Sequence, residues 1–110
     1  MKRLILILLV QVVFAASAIA GGDAAAGKEK SQACVACHGE AGMSAVTMFP
    51  NIAGQYQDYL YIALQSYKSG SRNNAIMSGI VAALDKQDMK DLAAYYSSLN
   101  GLESLGLPGK

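Results

Sequence analysis

The pentapeptide Cys34-Val35-Ala36-Cys37-His38 holds both cysteines and the only histidine of this 110-residue chain. It constrains the fold more than any other feature, because C-x-x-C-H is the attachment signature of c-type haem. Two thiols three positions apart can each add to one vinyl group of the same porphyrin. The histidine that follows is then held beneath the iron and coordinates through a neutral imidazole nitrogen. The covalent links make that ligand hard to lose.

Plainer chemistries compete for the same residues. A thioredoxin-type redox pair expects a βαβ context, and none is visible. A closed structural zinc site needs four ligands, whereas two cysteines and one histidine give three at a spacing unlike a finger. A short-loop disulfide also suits the spacing. An export signal at the N-terminus tips the reading towards haem.

Residues 1–20 read as that signal. Lys2 and Arg3 form a positive start, and Leu4 to Ala16 is apolar except for Gln11. Ala18-Ile19-Ala20 is a small-x-small cleavage site that would leave Gly21 as the new N-terminus. The alternative is an uncleaved anchor, but the apolar run is short for a membrane span of about 20 residues. Cleavage is therefore expected, with no stable membrane insertion afterwards.

Removing twenty residues from 110 leaves 90, enough for one small domain. Such a domain buries a thin core and often needs a staple, which a covalently bound porphyrin would supply. Loss of Lys2 and Arg3 leaves seven basic and eight acidic residues, a net charge of about −1. With no basic cluster, nucleic acid is not an expected partner. The hydrophobic fraction of 53% is raised by the leader and is not a sign of a membrane protein.

Along the mature chain, Asp23 to Ala33 reads as a first helix. Asp23 is placed to cap it, and Ala24-Ala25-Ala26 favour it. Gly27 inside this helix points to a close crossing with another, unless the helix starts after it. Residues 39–54 are punctuated by Gly39, Gly42, Pro50, Asn51 and Gly54 and read as a loop. Gln55 to Ser69 is helical, with Tyr56, Tyr59, Leu60, Ala63, Leu64 and Tyr67 forming one apolar stripe. Gly70 can end it. Ile76 to Leu84 suggests a short helical stretch. Asp85 to Leu99 is the last long helix, capped by Asp85 with Asp88 at the third position. Its inward face is Leu92, Tyr95, Tyr96 and Leu99, and Gly101 would end it. Residues 101–110, with three glycines and Pro108, are expected to be loosely ordered. No segment alternates with period two, so the domain should be all-α.

This order of parts resembles a class I cytochrome c over residues 22–100. The strings Phe49-Pro50-Asn51-Ile52-Ala53-Gly54-Gln55, Tyr67-Lys68-Ser69-Gly70 and Leu92-Ala93-Ala94-Tyr95-Tyr96 are similar to those of the short bacterial cytochromes of the c-four and c-five groups. The resemblance implies three to four helices around one haem, with the first and last helices crossing. It implies attachment outside the bacterial cytoplasm, which agrees with the leader. It also implies a sixth iron ligand from a methionine past the middle of the chain, where Met77 stands. Spacing alone leaves Met48 and Met43 within reach, while Met89 reads as core. Pro50 looks like the family's proline whose carbonyl accepts from the ligand histidine; an ordinary turn residue is the plainer role. Arg72 would pair with a haem propionate or remain a solvated surface arginine. Gly27 and Tyr95 resemble the family's helix-crossing contact. Ser31 stands where the family often has an aromatic, so the crossing is expected to be looser or rearranged.

The function this implies is one-electron transfer in a bacterial periplasm by a single covalent haem c with His38 and Met77 as ligands. Redox proteins would be donors and acceptors, and the chain would be a monomer or weak dimer. No catalytic base, nucleophile or substrate pocket is evident, so no enzymatic activity is expected. The same domain would also serve as the cytochrome subunit of a periplasmic oxidoreductase complex. A peroxidase-like or ligand-binding role would need an open sixth position. The stretch Ala45-Val46-Thr47-Met48-Phe49 would either rim the haem edge or pack against the porphyrin.

Overall fold

Asp23 is extended, and its carboxylate accepts the backbone N–H groups of Ala25 and Ala26 at 2.8 and 3.3 Å. This caps α1, Ala24–Lys30. A computed structural model describes residues 21–103; the expected leader over 1–20 and residues 104–110 of the expected tail lie outside them. The helix expected to continue to Ala33 breaks at Ser31. There the hydroxyl donates to the Lys28 carbonyl at 2.7 Å, and the Ser31 N–H turns to the same oxygen at 3.2 Å. A side chain that competes for helix carbonyls tightens the turn in this way. The chain restarts at once as α2, Gln32–His38, which carries the whole Cys-x-x-Cys-His motif.

After the loop come α3 (Gln57–Ser69), α4 (Ala75–Val81) and α5 (Lys86–Ser98). Gly70, left-handed at φ 83°, ends α3 as expected. Asp85 and Asp88 form a complete capping box on α5, each carboxylate accepting the other's N–H, at 2.7 and 2.9 Å. That helix ends at Leu99 in an extended conformation, not at Gly101. Gly101 instead packs on the loop: a Cβ there would come within 2.7 Å of the Ala53 side chain, and the Leu102 N–H donates to the Ala53 carbonyl at 2.8 Å. The described residues contain five helices and no strand, so the expected all-α class holds. The break at Ser31 raises the helix number above the expected three to four. None of the described helices is long and apolar enough to cross a membrane.

The first and last helices cross, as expected, at Gly27. A Cβ on Gly27 would drive into the Asp91 carbonyl and approach the Tyr95 Cβ to 2.7 Å. The helix therefore does run through Gly27, and its missing side chain is what lets the backbones meet. At the crossing, Ser31 stands in place of an aromatic. Ser31 is buried, and α5 fills the space with Tyr95 and Tyr96, whose ring centroids lie 4.9 Å apart. From Asp91 to Tyr96 every residue of α5 is buried. Leu60, Leu92, Ala93, Tyr95 and Tyr96 form the core cluster, with Leu64, Tyr61, Leu84 and Leu99 packed on it. Met89 is core, as expected.

The α3 stripe is rotated from its expected position. Leu60, Tyr61 and Leu64 pack on the cluster that α5 dominates, while Tyr59 is 53% exposed. At 100° per residue, Tyr59, Ala63 and Tyr67 share a second apolar flank beside the one that meets α5. One stripe in the sequence thus covers two faces of the helix.

A polar latch reinforces the crossing. The buried Asp91 carboxylate accepts from the Asp23 N–H at 2.8 Å, Lys30 Nζ at 2.7 Å and Gln87 Nε2 at 2.8 Å. Lys30 also bridges to Asp88 at 2.9 Å. Burial pushes the Asp91 pKa up, but Lys30, the Asp23 N–H and Gln87 outweigh it and hold the group below 3.8. Asp88 is lowered too, first by Lys30 and then by the Asp85 backbone. Both carboxylates therefore contribute stability above the unfolded value, and that contribution disappears as pH falls through their lower folded values.

Gly27→Ala is expected to cost about 1–3 kcal/mol despite the better helix propensity of alanine, because backbone must move to admit the methyl; urea denaturation at neutral pH checks this. Asp91→Asn should lower the thermal midpoint near pH 7 and shrink the further loss of stability between about pH 5 and pH 2, since one of the two titrating carboxylates is gone. Calorimetry across that range measures both effects.

Candidate functional site

α2 carries Cys34 and Cys37 three positions apart, and His38 closes its last turn. Both thiols are free and half-buried, so the disulfide reading does not hold. His38 is buried, and its Nδ1 lies 2.7 Å from the Pro50 carbonyl oxygen. A carbonyl can only accept, so Nδ1 carries the proton and donates. Nε2 is left with its lone pair, the form in which imidazole binds a metal. Among the described residues no group of three or more His, Cys, Asp or Glu side chains converges as a metal site. The Cys34 pKa is raised by burial, with the Tyr96 hydroxyl opposing and Cys37 adding to the rise. A thioredoxin-type nucleophile needs the opposite shift.

The Pro50 carbonyl is presented by a loop closed on itself. The Gly42 carbonyl accepts from Ile52 and Ala53 at 2.8 and 3.0 Å, and Asn51 Oδ1 accepts the Ser44 N–H at 2.6 Å. Gly39 opens the loop at φ 81°, where any Cβ would collide with the Met43 carbonyl. At its far end the Gly54 N–H donates to the Tyr96 carbonyl at 2.9 Å. The loop is thereby hung from α5, the helix whose Tyr96 side chain lies beside Cys34.

The cytochrome c family model matches residues 24–100. This chain belongs to the cytochrome c family. It is 41% identical over 98 residues to cytochrome c4 of Pseudomonas aeruginosa, covering 89% of this chain and 49% of that protein. It is 44% identical over 80 residues to cytochrome c-554(548) of Halomonas halodenitrificans, covering 70% of this chain and 96% of that protein. The crystal structure of reduced recombinant cytochrome c4 from Pseudomonas stutzeri aligns with a TM-score of 0.70 at 42% identity, covering 74% of this chain and 47% of that one. The chain thus spans about half the length of the cytochrome c4 relatives and nearly all of the shorter one.

Membership of the family implies covalently bound haem c, and the residues present fit such a group. Two unpaired thiols sit on one helix next to a histidine whose tautomer is fixed. The Tyr96 hydroxyl, buried beside Cys34, makes no ordinary hydrogen bond among the described residues. The second flank of α3, with Tyr59 and Tyr67, adds apolar surface, as do the exposed Val46 and Met48 of the loop and Ile76 of α4. A concavity of about 450 Å³ between α3 and Met89 touches none of the expected site residues.

The remaining expected residues are distributed as follows. Met77 is half-buried in the first turn of α4, after the cap Asn74. Met43 and Met48 are 48% and 77% exposed on the loop. Arg72 is exposed, and its guanidinium stacks over the Tyr67 ring, 4.7 Å from the centroid. Sequence reasoning weighed a propionate or water for Arg72 and missed this ring; an aromatic five residues upstream, across a glycine turn, was the available signal. It also missed Asn51 as the residue that braces Pro50.

Asn51→Ala should leave the Ser44 N–H without its acceptor, speed its hydrogen exchange and cost about 1 kcal/mol. Exchange of the amides from 42 to 53, read by NMR, tests whether the bond braces the loop.

Proposed function

We propose that this chain is a periplasmic electron carrier with one haem c, attached through Cys34 and Cys37 and ligated by His38 and Met77. The observation that carries the reading is the His38 Nδ1 hydrogen bond to Pro50, which fixes a metal-ready imidazole one residue from a free thiol. The haem supplies the one-electron Fe(II)/Fe(III) couple, and the protein's part is to hold the ligands still. Pro50 keeps the imidazole oriented. The Met77 thioether, a soft donor, favours the reduced state and raises the potential. Arg72, stacked by its face on Tyr67, retains in-plane N–H donors for a propionate carboxylate.

Val46 and Met48 are exposed and offer apolar contact to a transient redox partner. Donors and acceptors are redox proteins, and no residue set among the described residues suggests catalysis in its own right. A subunit role in a periplasmic oxidoreductase complex, with the domain as the electron outlet of a catalytic partner, is the second reading. A stoichiometric partner that survives high salt on native purification would favour it; a lone monomer favours the carrier.

Mass spectrometry of exported protein should show cleavage before Gly21, one covalent haem and no free thiol; a colourless protein with two thiols overturns the proposal. Met77→Ala should lower the reduction potential and let carbon monoxide bind the reduced iron rapidly. Potentiometry and flash photolysis measure these, and an unchanged potential removes Met77 from the iron.

A further inference from the structure

Met77 sits on a helix of only seven residues, and side chains outside α4 hold that helix at both ends. Asn74 precedes it in an extended conformation. Its side-chain oxygen accepts the backbone N–H of Met77 itself at 3.0 Å, and its carbonyl accepts from Ser78 at 2.9 Å. In the middle, the Ser78 hydroxyl reaches the Tyr67 carbonyl on α3 at 3.4 Å. At the far end Lys68, also on α3, donates from Nζ to the Ala82 carbonyl at 3.2 Å and to the Leu84 carbonyl. These carbonyls follow the last turn, where a helix runs out of its own N–H donors.

A helix this short is not stable alone in water. α4 has no acidic residue in its first turn and no basic residue in its last to offset its dipole. It buries only Val81. Its position, and with it that of the Met77 side chain, is therefore set from outside.

We propose that Asn74 and Lys68 are positioning residues for the sixth ligand, clamping the two ends of α4 so that the Met77 thioether stays on the iron; this rests on the reading of Met77 as that ligand. Asn74 acts on the ligand residue's own amide. Lys68 acts through the 82–84 turn and ties it to α3. Both clamps lie at the protein surface, so the methionine side of the iron is held by contacts that a single substitution can remove without opening the core.

The test uses the exported holoprotein and imidazole as a competing ligand for the oxidised iron. Loss of one cap should raise the population of the methionine-off form about fivefold, and the apparent imidazole affinity by the same factor. That rise is expected in Asn74→Ala and in Lys68→Met, with circular dichroism and thermal midpoint reporting separately on the fold. Asn74→Ser, which restores a capping oxygen, should return the affinity to the wild-type value. If Asn74→Ala fails to mature, Asn74→Val, which also lacks a capping oxygen and suits the extended backbone at that position, replaces it. Unchanged imidazole affinity in the clamp variants, or equal gains in the serine and alanine variants, overturns the clamp. Met77→Ala separates the two readings. If it abolishes the sulfur-to-iron charge-transfer band, the ligand stands and only the clamp is at issue; if the band persists, the ligand assignment falls and the clamp with it.

Discussion

The close approach of α1 to α5 at Gly27 is the constraint from which the rest of the domain follows. Without a side chain on Gly27, the Asp91 carbonyl and Tyr95 meet the backbone of α1 directly. Asp91 then uses its carboxylate to receive the start of α1 and the Lys30 ammonium near its end. Backbone contact sets the distance, and charge sets the register. Ser31 turns the chain immediately afterwards, so α2 cannot drift far from α5. Cys34 consequently comes to rest beside Tyr96, and the haem-binding motif inherits its position from a crossing several residues upstream.

The same last helix governs the loop. Gly54 donates to the Tyr96 carbonyl, so one residue of α5 touches the motif with its side chain and the loop with its backbone. The imidazole of His38 is thereby oriented by main chain, through Pro50. That choice has an electronic consequence. A carboxylate in the same place would raise the basicity of the ligand histidine and add negative charge near the metal. A neutral carbonyl orients the ring with a smaller rise in basicity and no added charge, and it does not titrate. With the Met77 thioether proposed as the second ligand, it would suit a couple poised at relatively high potential.

What could be read from the sequence was what local chemistry determines. Asp23, Asn74, Asp85 and Gly70 mark helix ends through bonds made within a few residues, and all but Asn74 were placed at the correct ends beforehand. The motif placed Cys34, Cys37 and His38 on one short segment for the same reason. Non-local effects were less visible. Ser31 reads as a mediocre helix residue; that its hydroxyl takes the Lys28 carbonyl and breaks the helix is one of several rotamer outcomes a residue type does not announce. The α3 stripe looked like a single inward face because a hydrophobic pattern counts apolar residues and not the number of surfaces that cover them; Leu60 and Leu64 serve α5, while Tyr59 and Tyr67 lie on another flank. Gly101 looked like a helix terminator, but its role comes from Ala53, almost fifty positions away. Arg72 on Tyr67 and Asn51 behind Pro50 depend on turn geometry that a pattern of residue types does not encode.

The two ligand-bearing segments are built to different standards. On the proposed ligation, His38 is buried, has its Nδ1 held by the Pro50 carbonyl, and would be tied further by two thioether bonds one and four residues upstream. Met77 is half-buried on a seven-residue helix that buries only Val81, reached by polar contacts from α3 and the 74 cap. Breaking the histidine side would require disturbing the core, whereas releasing the methionine side requires only that α4 shift on α3. Any ligand exchange at the iron should therefore take place on the methionine face, with the histidine and its covalent attachment left in place. A carrier needs both ligands retained through each cycle, so the firmness of the α4 contacts, rather than the core, sets how well the chain performs that task.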